Sequence, residues 1–233
     1  MATSGDYGFD PEVAVIVDEA FERAGVDPAT ITSRHIQSAR RSLNFMMQSW
    51  MNQKIHLWNV ESGREYKPSQ GDNEIDLDDG VFEIVEASVV TPAGQNSFET
   101  LARQISRDEW RAIPDKDVQG RPDRFWVEKL RDKAVMHFWP ALDNGGYFFK
   151  VNQWRRPETA TAAAQNLDVP PEWSEAAAAD LAWRLAVKYA PERLNTLKQL
   201  GIEAVRDAVD SNAERTATVI TVGYGGRRGY RRR

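Results

Sequence analysis

RFWVEKLRDKAVMHFWPALDNGGYFFKVNQW, residues 124–154, decides the fold. Its runs of Phe, Trp and Val are too short for helices, and Asp132-Lys133 and Asn144-Gly145-Gly146 between them read as turns. RFWVEKL, AVMHFW and YFFKVNQW are therefore expected as strands of one half-buried antiparallel sheet, together with VFEIVEASVV at 81–90. A short helical turn near Arg107 to Ala112 interrupts them.

Outward from this stretch the period changes to that of helices. Toward the N-terminus, residues 33–53 carry Ile36, Ala39, Leu43, Met46, Met47 and Trp50 on one face, with Arg34, Arg40 and Arg41 elsewhere. Before them, residues 10–25 repeat Val13, Val17, Ala20, Phe21 and Ala24 at helical spacing; Asp10 is the expected cap, Pro11 the first helical residue and Gly25 the stop. The two helices are expected to pack as a hairpin. Toward the C-terminus, Pro170-Pro171 precedes WSEAAAADLAWRLAVKY, which Pro191 separates from ERLNTLKQLGIEAVRDAVDSNAE. Alanine-rich faces allow these helices to approach closely.

The chain thus reads as α+β, a helical bundle from N- and C-terminal segments with an inserted antiparallel β-rich domain and an extended C-terminal arm. The expected boundaries are 1–53 and 159–213 for the helical domain, 54–158 for the β-rich domain and 214–233 for the arm. Material for burial is ample, since 41% of the 233 residues are hydrophobic and eight are Trp.

Composition narrows the chemistry. The chain has no cysteine, which excludes disulfides, thiolate nucleophiles and cysteine-based metal sites. It shows neither a basic leader followed by an apolar run nor an apolar stretch of about 18 residues, so it is expected in the cytosol or inside a particle, away from membranes. His35, His56 and His137 have no second histidine at ligand spacing. GDNEIDLDDGVFEIVE at 71–86 holds seven acids and no base, but its glycine falls at 80 and Ala87 takes the twelfth position, which breaks the calcium-loop pattern. It reads as a solvated acidic loop leading into a strand. Phosphate loops, nucleophile elbows and zinc-protease motifs are missing, so the chain is expected to be no enzyme and to need no cofactor.

The charge is polarised. The last seven positions hold five arginines, leaving 25 bases against 35 acids in the rest of the chain. The arm reads as a tether for an acidic protein cleft, ahead of DNA phosphates, with a solubilising end as the plainer reading. Thr218, Val219, Ile220 and Val222 have strand propensity, Tyr224 and Tyr230 can stack, and Arg227, Arg228, Arg231, Arg232 and Arg233 can pair with carboxylates.

The stretch from ISRDEWRAIP to QWRRPE resembles phage head-to-tail adaptors, a group that includes the tail tubular protein A family and the packaged-DNA stabilisation proteins. The likeness rests on Ser106-Arg107, Trp110, Ile113-Pro114, Gln119-Gly120-Arg121-Pro122, Trp139-Pro140 and Arg155-Arg156. It extends to the MATSG start, the Phe21-Glu22-Arg23-x-Gly25 helix end, the Ala39-Arg40-Arg41-Ser42-Leu43-Asn44 helix and DVPPEW at 168–173. GYGGRRGYRRR departs from the family pattern.

The resemblance implies a homo-oligomeric ring of about twelve subunits in the virion neck, assembled in the host cytoplasm. Its partners would be the portal protein, which the arm is expected to bind, and a tail nozzle or tail tube protein. Genomic DNA would pass through the ring's channel without sequence recognition. The motif residues have structural readings of their own: Gly120 for an unusual turn, Pro122 for the start of RFWVEKL and Pro140 for the end of AVMHFW. Two other functions are weighed against this one, a nucleic-acid-binding module using the Arg-rich tail and a small hydrolase. A single-strand binder needs bases interleaved with aromatics along a groove, whereas here the body is acidic.

Overall fold

The computed structural model describes residues 9–53, 57–93, 96–143 and 145–212. His56, Asn144 and the arm from 213 onward lie outside these residues.

The first helix, α1 (Val13–Ala24), ends as expected at Gly25, whose φ of 77° is left-handed and whose N–H donates to Glu22 O at 2.9 Å. Its start differs from the sequence expectation. Asp10 does not cap it and Pro11 lies outside it; instead the free N–H groups of Val13 and Ala14 donate to Gln165 O and Ala163 O at 2.8 and 3.0 Å. A distant loop replaces the side-chain cap, and Asp10 accepts from the Asn166 amide.

The second helix, α2 (Ser33–Asn52), begins with Thr32 N donating to His35 Nδ1 at 3.2 Å. His35 also turns inward against Tyr189, with ring centroids 4.9 Å apart. It takes the inward place in the first turn that the sequence assigns to Ile36, which is 40% exposed. The other five residues of that face are buried.

Three further helices complete the set, the first lying among the strands and the other two after them. They are the short α3 (Arg107–Ala112), then α4 (Ser174–Tyr189) and α5 (Leu194–Asn212). The expected α1–α2 hairpin is not the main contact: α1 lies chiefly against α4 and only glancingly against α2. The alanines of α4 explain this, since a face of small side chains lets several helices close on it. Gly201 marks the tightest approach, where α5 meets the backbone of α4 at Ala179 and Asp180. Leu43, Trp50, Trp173, Leu181 and Leu185 share one core in this bundle.

The strands are β1 (Val60–Tyr66), β2 (Glu74–Asp76), β3 (Val81–Ala93), β4 (Asn96–Leu101), β5 (Arg103–Gln104), β6 (Gln119–Gly120), β7 (Arg124–Lys129), β8 (Ala134–Trp139), β9 (Ala141–Leu142) and β10 (Phe148–Arg155). They form two four-stranded sheets and not the single expected one, in the orders β1-β10-β3-β4 and β2-β8-β7-β5, with β6-β9 as a short pair. Pairing is mainly antiparallel, but β5 with β7 and β6 with β9 are parallel. The chain changes sheets after β8: Pro140 ends the strand, and β10 pairs with β1 and β3. Ile84, Val89, Phe149 and Val151 from one sheet meet Phe125, Met136 and Phe138 from the other in a second core. Phe138 and Phe149 rings touch across it at 4.7 Å.

The acidic run is not a solvated loop alone. Glu74 to Asp76 pair with β8, and bases far away in sequence meet the acids: Lys133 at 2.6 Å from Asp76, Arg64 at 2.6 Å from Asp78, Lys129 at 3.1 Å from Glu83. Arg64 holds the Asp78 carboxyl below the ordinary carboxylate range.

Candidate functional site

The motif residues that carry the family likeness gather around α3 and the β7–β8 hairpin. Ser106 caps α3: Glu109 N donates to Ser106 Oγ at 3.2 Å, and Ser106 N donates back to Glu109 Oε2 at 2.9 Å. That backbone donor, with Arg103 nearby, pulls the Glu109 carboxyl below its usual range. The cap fixes the helix so that Trp110 lies on the sheet. There Trp110, Trp126 and His137 stack, with centroids 6.3 Å apart for the first pair and 5.0 Å for the second. Trp126 and His137 are cross-strand partners in the β7–β8 register.

A second contact holds the chain that follows α3. Trp139 Nε1 donates to Asp115 O at 2.9 Å, and the Arg124 guanidinium lies 4.6 Å from the Trp139 ring. Gly120 has no left-handed φ, which corrects the reading of it as an unusual turn. It sits in β6 against Pro140, where a Cβ would come within 3.4 Å of the proline ring. Pro122 is buried just before β7. Ser106, Trp110, Gly120, Pro122, Trp139 and Pro140 thus form one brace that straps the α3 segment to the second sheet.

The remaining motif residues are dispersed. Arg107, Pro114 and Arg121 are exposed on the strap. Arg155 lies at the other end of the β region, 3.2 Å from both Glu61 and Asp168. Arg156 N donates to Gly80 O at 2.9 Å.

Sequence reading missed the polar centre of the bundle. Asp180, 6% exposed, accepts from Trp50 Nε1 at 2.9 Å and from Trp183, and Arg184 lies 3.5 Å away. The available signal was Asp180 in the middle of SEAAAADLAWR, because an acid among buried alanines requires partners.

Two open clefts flank the first turns of α4. One, of about 450 Å³, runs between α4 and α5 and carries Glu172, Glu175, Glu203 and Asp207 against the single base Arg23. The other, of about 360 Å³, lies between α1 and α4 and is lined by Phe9, Val15, Ile16 and Pro171. Arg23, Glu172 and Glu175 belong to both. Arg23 clamps Glu175 through two bonds of 2.6 and 2.7 Å, which lowers the Glu175 pKa and raises that of the guanidinium. Among the described residues no cluster of His, Asp or Glu could hold a metal ion, and no helix is long and apolar enough to cross a membrane.

Helices around one core, strands around another and motif residues spent on a structural brace define an α+β protein whose distinctive residues build surfaces. A model of the SU10 adaptor protein family matches residues 13–223, and the chain belongs to that family. It is therefore a phage adaptor protein, as the resemblance of its sequence implies. No curated protein matches the chain.

Proposed function

We propose that this chain is a head-to-tail adaptor that forms a closed ring of about twelve copies between the portal and the tail, with a central channel for the genome. The observation that carries the reading is the family match, which spans residues 13–223 and so takes in both cores. The helical segments 1–53 and 159–213 act as one domain that lines the channel, and 54–158 as a second that faces outward or toward the tail. The acidic body supports this reading, since a conduit with excess carboxylates does not grip moving phosphates. The basic arm tethers an assembled subunit to an acidic protein surface, and assembly takes place in the host cytoplasm before the subunit becomes part of the virion neck.

Cryo-electron microscopy of virions tests the ring, and co-purification with the portal and with the tail nozzle or tail tube protein tests the partners. The expected result is a ring of this chain at the neck. Finding the chain elsewhere in the particle, or bound to DNA alone at physiological salt, sinks the reading and favours the nucleic-acid-binding alternative.

A further inference from the structure

The sequence predicts an acidic cleft somewhere as the target of the arginine-rich arm, and the fold supplies one within the chain itself. The cleft between α4 and α5 presents Glu172 and Asp207, both exposed and both without a partner among the described residues. Glu203 beside them is engaged only by Gln199, at 3.1 Å. Such carboxylates suit guanidinium groups, which bind them through two parallel hydrogen bonds.

A second feature adjoins it and shares Arg23, Glu172 and Glu175 with it. Away from these residues and Glu19, the cleft between α1 and α4 is apolar, with Phe9 left 73% exposed and Val15 49% exposed. The two clefts meet at the Arg23–Glu175 pair, so together they make a groove that is apolar at one end and acidic at the other. The arm has the same two-part order: the β-branched run TATVITV at 216–222, then five arginines between 227 and 233.

The order also says which copy supplies the arm. Ser211, near the end of α5, lines the acidic cleft. In its own chain the arm would therefore meet the carboxylates with TATVITV and reach the apolar end with its arginines, the reverse of what the chemistry favours. The arm of a neighbour has no such constraint, and 21 residues beyond Asn212 span up to about 70 Å when extended. We propose that residues 216–233 of one copy dock in the groove of a second copy, the β-branched run at the apolar end and the arginines at the acidic end. The contact goes beyond the adaptor reading and needs only two copies, so its failure leaves the ring standing.

The absence of cysteine in the chain makes the test direct. Full-length Ser211→Cys is mixed with full-length Arg231→Cys under mild oxidation, and the disulfide-linked heterodimer is measured on non-reducing gels. Lys67→Cys, on the exposed β region, replaces Ser211→Cys as the collision control. The expected yield for Ser211 exceeds the control about tenfold, and falls to the control level in 0.5 M salt or when Glu203→Lys and Asp207→Lys are added. Equal yields at Ser211 and Lys67 overturn the proposal. So does preferential linkage to Ser97→Cys on the outer strand β4, which would place the arm on a sheet edge.

Discussion

Gly201 shows how a single position can oppose a general rule. In the middle of α5 an alanine is favoured over glycine by about 1 kcal/mol of helix propensity. Here a Cβ would fall 2.8 Å from Trp183 Cδ1 and 3.1 Å from Ala179 O, against backbone that cannot yield. Gly201→Ala is expected to destabilise the protein by about 1 to 3 kcal/mol in urea denaturation. A more stable variant would show that α5 can move away from α4. Asp180 supplies the complementary case. Asp180→Ala leaves the Trp50 indole N–H buried without an acceptor and should cost about 1 to 3 kcal/mol, while Asp180→Asn, which keeps an acceptor oxygen, should cost less. Equal losses in the two variants would mean that shape, and not the hydrogen bond, is what Asp180 provides. Gly201 was unreadable as special in the sequence, and Asp180 stood out only as an acid set among alanines, because each acquires its meaning from the helix laid across it.

At the scale of elements, local pattern was enough wherever the chain solves its own hydrogen bonding. Gly25 closes α1, Pro191 separates the last two helices, and Asp132-Lys133 turns β7 into β8 with Leu130 N donating to Lys133 O at 2.9 Å. The pattern failed where a distant segment takes over, as at the start of α1. It failed again for the sheets, since alternation shows that a strand has a buried face without showing which strand lies beside it. The brace was visible only as a set of motif residues, and its purpose needed the register that sets Trp126 beside His137. Ser106→Ala removes one of the two bonds of the cap on α3 and should lower stability by about 1 kcal/mol, with the tryptophan fluorescence of the Trp110 stack shifting toward the exposed value. An unaltered spectrum would show that Trp110 holds its place without the cap.

The link between α1 and α4 adds a pH dependence. Arg23 depresses the Glu175 pKa in the folded state, so the unfolded chain binds more protons as pH falls through the ordinary glutamate range near about 4.3. This part of the stability is complete above that range and is lost as pH drops toward the lower folded value. Arg23→Met should therefore flatten the rise of unfolding free energy between about pH 3 and pH 5. An identical slope would mean that solvent screens the pair fully.

Across the whole molecule, the described residues that lead into and out of the β region lie side by side. Val60 opens β1 directly opposite Trp154 of β10, and Trp58 Nε1 donates to Asp168 O at 3.2 Å beside them. Arg155 joins the same spot by pairing with Asp168. The outgoing and returning strands are thus hydrogen-bonded neighbours, about 5 Å apart. Their adjacency has a consequence for how such a chain can change over generations: everything between them can be exchanged as a cassette, by splicing at two neighbouring points, without rethreading the helices. Replacing residues 61–153 with a short Gly-Ser linker is expected to give a soluble protein that melts cooperatively with a helical circular dichroism spectrum. An aggregated or molten product would show that the helices depend on their cargo. A bundle that survives would be a reusable chassis, able to keep its place in one particle while accepting a differently shaped attachment for another.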